Sequence, residues 1–165
     1  MRFSFSRLGG ALCALMIPVA SPTAPLFAQE LDPRRDVVAL GVVNGGAAEL
    51  YLRRVERPFA GALQPVYGLS VTTRGQAWIG GGLAYGLELA LGGVFLRASF
   101  MPGLQARGRG RDLGGPVAFR SGLELGVPLG RGEVTLGIDH RSNAGIHSRN
   151  PGLNSLYLSY TLRRY

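Results

Sequence analysis

The chain has 165 residues, room for a single domain. Its 26 Gly lie well above the usual ~7 %, and its 18 basic residues are all Arg, giving a formal charge of +8. The Arg are spread along the chain with no compact recognition helix, which argues against nucleic acid as a partner.

The first 28 residues read as a secretory signal peptide. Arg2 and Arg7 form the basic start, and Leu8 to Ala20 is an apolar stretch shorter than the ~20 residues a spanning helix needs. Leu26-Phe27-Ala28 supplies a cleavage site, and Cys13 is not preceded by a lipobox. Cleavage leaves residues 29–165 as one domain with no cysteine, so that domain relies on no disulfide. Its 16 Arg against 10 acids leave +6, a charge suited to anionic surfaces such as lipopolysaccharide phosphates.

Eight strands separated by turn signals are expected at 36–45, 48–57, 62–73, 76–85, 87–101, 116–127, 132–142 and 154–165. Their lengths are mostly those of transmembrane strands, and an even count from eight upward is the pattern of bacterial outer-membrane barrels. The stretch from Leu83 to Phe100 is apolar, but Glu88, Arg97 and five Gly between Gly80 and Gly92 disqualify it as a helix. A membrane-spanning form of this chain therefore has to be a closed barrel. Trp78 and Tyr85 are candidates for interfacial aromatics.

The fifth strand changes parity: Leu87, Leu89 and Leu91 share one face, and Val94, Leu96, Ala98 and Phe100 the other. A β-bulge at Gly92-Gly93 would restore one apolar face. The faces are clearest in the last three strands. Val117, Phe119, Leu123, Leu125 and Val127 oppose Arg120, Gly122, Glu124 and Gly126. Val134, Leu136 and Ile138 oppose Glu133, Thr135 and Asp139, and Leu156, Leu158, Tyr160 and Leu162 oppose Ser155, Ser159, Thr161 and Arg163. Apolar residues toward lipid and polar ones toward a narrow lumen give the fold class: an all-β, eight-stranded antiparallel transmembrane barrel of a Gram-negative outer membrane. Arg120, Glu124, Glu133 and Asp139 are expected to pair inside it. Long gaps at 102–115 and 143–153 would be outer loops, and the short 128–131 gap an inner turn.

The informative segment is Asp139-His140-Arg141-Ser142-Asn143-Ala144-Gly145, followed by Asn150-Pro151-Gly152-Leu153-Asn154. His140 and Ser142 are two apart on a strand, so they share a side, with Cα atoms ~6.5–7 Å apart. A base within reach of a serine hydroxyl is what an activated nucleophile requires. Both continue the lipid-facing row Val134, Leu136, Ile138, and Asn154 continues the row Leu156, Leu158, Tyr160. Polar groups on a lipid-facing wall are hard to explain by stability. Polar residues at a strand end can also mark where the wall leaves the bilayer, and Asn143, Gly145 and Pro151-Gly152 can be plain turn residues.

The pattern His-x-Ser-Asn-Ala-Gly, then Asn-Pro-Gly, resembles the lipid A 3-O-deacylase (PagL-type) family, as do Gly110-Arg111-Asp112-Leu113-Gly114 and Phe119-Arg120-Ser121-Gly122-Leu123-Glu124. The resemblance runs from about Trp78 to Tyr165 and is strongest over the last 27 residues. It implies hydrolysis of the ester joining a 3-hydroxyacyl chain to position 3 of lipid A, with no metal or cofactor. Ser142 would match the nucleophile, His140 the general base, and Asn143, Gly145 and Asn150 the oxyanion-stabilising region. Fourteen residues after the His the family's type members carry Glu; here the position is Asn154, which can orient an imidazole but not stabilise its charge. The Arg107-x-Arg109-x-Arg111 loop is a candidate for the phosphates of lipid A, or a solvated outer loop. The partners implied are lipid A of lipopolysaccharide and outer-membrane lipids, with a homodimer left open. Two rival readings are a non-catalytic outer-membrane barrel with an envelope or adhesion role, and a soluble periplasmic barrel with an apolar lumen.

Overall fold

The computed structural model describes residues 34–90 and 92–164, with the side chains of 163 and 164 excluded. The expected signal peptide, Leu91 and Tyr165 lie outside the described residues. Eight strands follow in chain order: β1 (Arg34–Val43), β2 (Ala47–Val55), β3 (Leu63–Thr72), β4 (Ala77–Glu88), β5 (Phe95–Ala106), β6 (Val117–Leu129), β7 (Gly132–Ser142) and β8 (Leu153–Arg164). Each pairs antiparallel with the next, and β1 pairs with β8 from Arg34↔Arg164 to Val43↔Ser155, which closes the barrel. Seven strands fall within three residues of the expected bounds.

The fifth does not, and no bulge exists there. Leu87 and Glu88 end β4, and β5 begins at Phe95, so the two parities belong to two strands of a hairpin, paired Leu87↔Leu96 and Glu88↔Phe95. The Leu89 N–H donates to the Val94 carbonyl at 2.8 Å, and Gly92 and Gly93 take φ of +63° and +88° in the turn, where only glycine sits without strain. Strand β5 then continues past Pro102, which faces outward opposite Phe119. The outer loop is accordingly 107–116 rather than 102–115.

The barrel is inverted relative to a soluble protein. Val38, Leu40, Leu69, Ile79, Phe100, Leu125, Leu136, Ile138, Leu158 and Leu162 are exposed on the outer wall, the belt that lipid covers. Charges fill the inside. The Arg120 guanidinium bonds both Glu49 oxygens at 3.2 and 3.1 Å and Ser70 Oγ at 3.0 Å. Its Nε donates to Asp139 at 2.9 Å, and the group lies 3.5 Å over the Tyr51 ring. Arg141 bonds Glu49 at 2.9 Å, Arg97 bonds Glu133 at 2.9 Å, and Arg53 pairs with Glu124. A buried charge is tolerated only with such partners. This polar lumen rules out the soluble barrel with an apolar interior. The first four strands alternate weakly in sequence because Val37, Ala39 and Val43 face inward while Val38, Leu40 and Val42 face out.

Trp78 corrects a second expectation. It is not interfacial but inside the barrel, 2 % exposed, with Nε1 donating to the Ala118 carbonyl at 3.1 Å. Gly80 and Gly103 make room for it: a Cβ on either would lie 2.5–2.8 Å from the indole. Tyr85 does face outward. The four connections at the site end are 44–46, 73–76, 107–116 and 143–152, so only the last two are long.

Candidate active site

The site lies on the outer wall of β7 and β8, where the belt gives way to the long loops. Alternation along β7 sends Asp139 and Arg141 into the lumen and His140 and Ser142 outward. Register then selects the neighbours: His140 pairs with Asn154 of β8 and Ser121 of β6, and Ser142 pairs with Phe119. His140 Nδ1 and Asn154 Oδ1 are 2.6 Å apart. An amide oxygen only accepts, so Nδ1 carries the proton in this bond and Nε2 is left as the basic nitrogen. Asn154 is itself fixed across the β1–β8 seam. Its N–H donates to Asn44 Oδ1 at 3.2 Å, and its carbonyl accepts the Asn44 N–H at 2.8 Å.

The other Asn residues organise the 143–152 loop. Asn143 is fully buried; its amide group donates to the carbonyls of Leu113 and Arg149, at 2.5 and 2.8 Å, and its Oδ1 accepts the Gly145 N–H at 2.8 Å. The Asn143 N–H, one peptide after Ser142, donates to Asn150 Oδ1 at 3.0 Å. Asn150 is thereby anchored beside Ser142 through its oxygen, with Nδ2 the donor end of the amide. Ala144 and Gly145 both take positive φ, +52° and +81°, which bends the chain tightly after Ser142.

The three arginines do not converge. Arg107 pairs with Asp112 at 3.1 Å. Arg111 donates to the Pro151 and Gly152 carbonyls at 3.4 and 3.2 Å. Arg109 is exposed, its backbone N–H bonded to the Arg74 carbonyl of the β3–β4 turn at 2.9 Å. The Asp112 carboxyl is held below its ordinary range by the Gly114 N–H at 2.9 Å and, less strongly, by Arg107.

From His140 and Asn154 a groove of about 1000 Å³ runs along the wall, lined with Val42, Leu123, Ile138 and Leu156. Beside Ser142, Phe119 stacks on Phe100 with centroids 5.8 Å apart. Polar groups at one end and an apolar track below suit a ligand with a polar head and a hydrocarbon tail. Asn44 and the Phe100–Phe119 pair escaped the sequence reading, because register and closure alone bring them here. Among the described residues, no three His, Cys, Asp or Glu side chains are grouped as metal ligands would be.

The model of the lipid A 3-O-deacylase family matches residues 44–163, which include Asn44, His140, Ser142 and Asn154. The chain belongs to the lipid A 3-O-deacylase (PagL) family. Its fold is similar to that of the outer-membrane enzyme PagL, with a TM-score of 0.66 at 18 % identity, covering 79 % of this chain and 99 % of the other. It is also similar to a de novo designed transmembrane β-barrel, with a TM-score of 0.60 at 7 % identity, covering 82 % and 98 %. No curated protein sequence matches the chain. Membership in the deacylase family, together with the barrel, makes this an outer-membrane protein related to lipid A hydrolases.

Proposed function

We propose that this chain is a serine esterase of the outer membrane that removes the ester-linked 3-hydroxyacyl chain from position 3 of lipid A. The observation that carries the reading is the 2.6 Å bond between His140 Nδ1 and Asn154 Oδ1 on a lipid-facing wall. Ser142 follows on the same face. A histidine oriented in this way, in a place where polar groups are disfavoured, has a use in acting on a lipid.

Ser142 Oγ attacks the acyl carbonyl while His140 Nε2 takes its proton. The oxyanion is stabilised by Asn150 Nδ2, with the N–H groups of Asn143 and Gly145 contributing once they exchange their bonds within the loop. Collapse expels the sugar 3-oxygen, protonated by His140, and leaves Ser142 acylated. Water activated by His140 then releases the hydroxy fatty acid and restores Ser142. The acyl chain lies along the Leu123, Ile138 and Leu156 groove. Since Arg107 and Arg111 are engaged by Asp112 and by the 151–152 turn, Arg109 is the arginine of the trio assigned to a lipid A phosphate.

Mass spectrometry of lipid A from cells expressing the chain, beside Ser142→Ala, tests this. Loss of one hydroxyacyl mass, abolished by Ser142→Ala, is expected. Unchanged lipid A with a folded barrel in the membrane would overturn the reading and favour a non-catalytic envelope barrel of the same fold.

A further inference from the structure

Arg111 and Gly152 form a chain of contacts ending on the imidazole. Arg111 Nη1 donates to the carbonyls of Pro151 and Gly152, at 3.4 and 3.2 Å. Gly152 is buried with φ of +66°, and a Cβ built on it would fall 2.7 Å from His140 Cε1 and 3.4 Å from Nε2. The backbone of Gly152 therefore closes over the outer edge of the ring, the edge that carries Cε1 between the two nitrogens. Two residues later the same turn delivers Asn154 to Nδ1.

We propose that Arg111 is a positioning residue for His140, acting by clamping the Pro151–Gly152 turn onto the imidazole rather than by binding a lipid phosphate. The inference rests on the esterase reading for its catalytic consequence, though not for its geometry. It also bears on Asn154. A carboxylate would hold the imidazole by charge as well as by a hydrogen bond, and charge-assisted bonds are roughly twice as strong. A neutral amide holds it less firmly, so here the ring's orientation depends more on what packs against its free edge. Arg111 suits that task because the two N–H groups of its Nη1 are fixed in the guanidinium plane and aim at successive carbonyls, whereas a lysine ammonium turns freely on its stem. Glycine at 152 is required twice, by the left-handed backbone and by the contact with the ring.

The test uses the full-length barrel in detergent micelles with two substrates, lipid A and a phosphate-free long-chain acyl ester. For Arg111→Ala and Arg111→Lys, kcat is expected to fall roughly 10- to 100-fold on both substrates, a size typical of a misplaced catalytic group, with KM little changed. Gly152→Ala should lose at least as much. A loss confined to lipid A and expressed in KM would make Arg111 a phosphate ligand and overturn the proposal, as would unchanged kinetics on both substrates. The His140 Cε1–H resonance supplies a readout independent of turnover. It should shift or broaden in Arg111→Ala while the barrel still migrates as a folded species, and an unmoved resonance would also overturn the proposal. If the wild type cleaves neither ester, the esterase reading fails by itself, and the resonance still decides whether Arg111 positions His140.

Discussion

One strand carries two kinds of polar side chain back to back. Asp139 and Arg141 point into the lumen, and His140 and Ser142 point through the other face of β7 toward lipid. The inward pair belongs to a closed account of charge: Asp139 meets Arg120, Arg141 meets Glu49, and Glu49 also meets Arg120. The outward pair belongs to no such network. His140 has one neutral amide partner and a glycine against its edge. Polar groups inside a barrel are explained once they are partnered, because the lumen must be filled and its charges must cancel. Among the described residues, the outward pair of β7 takes no part in such a network, and on the esterase reading its task is a ligand.

The sharpest way to break this comparison is to disable the outward pair. His140→Gln and Ser142→Ala should each lower deacylation by roughly 10⁴-fold or more while leaving the thermal midpoint of the barrel within a degree or two. A large loss of stability instead would show that the outward residues are structural after all. The inward network should behave in the opposite way. Glu49→Gln leaves Arg141 and Arg120 short of a carboxylate and should destabilise the barrel by about 3–5 kcal/mol, read as earlier heat or urea unfolding. Activity per folded molecule should stay near that of the parent.

Asn154→Glu sharpens the contrast from the other direction by giving the outward pair the charge it lacks. Turnover should rise by about 10-fold or more, since replacing the acid of a serine triad by its amide costs ~10⁴; a fall would mean that the groove is tuned to the neutral amide. The smallest effect concerns the outer loop. Asp112 is held charged by the Gly114 N–H and by Arg107, so its contribution is present above its ordinary value of 3.8 and is lost as pH falls through the lower folded-state value. Proteolytic nicking of the 107–116 loop should therefore increase only on acidification below pH 3.8, and Asp112→Asn should be nicked at all pH values.

Much of this was legible in the sequence, and the gaps have physical causes. Strands β6 to β8 alternate cleanly because their inward residues, Leu153 and Tyr157 apart, are charged, polar or small, so the lipid face of His140, Ser142 and Asn154 could be read directly. Strand β1 puts Val37 and Ala39 inside, which erases the signal. Gly92-Gly93 looked like a bulge because a parity change inside one apolar run does not distinguish a kinked strand from a hairpin. Trp78 looked interfacial because the two glycines that admit it, Gly80 and Gly103, lie on different strands. Arg111 looked like one member of a cationic row, since its bond to a turn 40 residues away leaves no local trace.

The seam between β1 and β8 also sets a schedule. Asn154 is held by Asn44, and Val42 of β1 forms one wall of the groove whose other walls come from β6, β7 and β8. The first and last strands to be synthesised therefore meet at the site. A chain still in transit, with seven pairings made and the eighth open, has neither the groove nor the Asn44 brace. On the esterase reading, closing the β1–β8 seam and gaining competence are a single event.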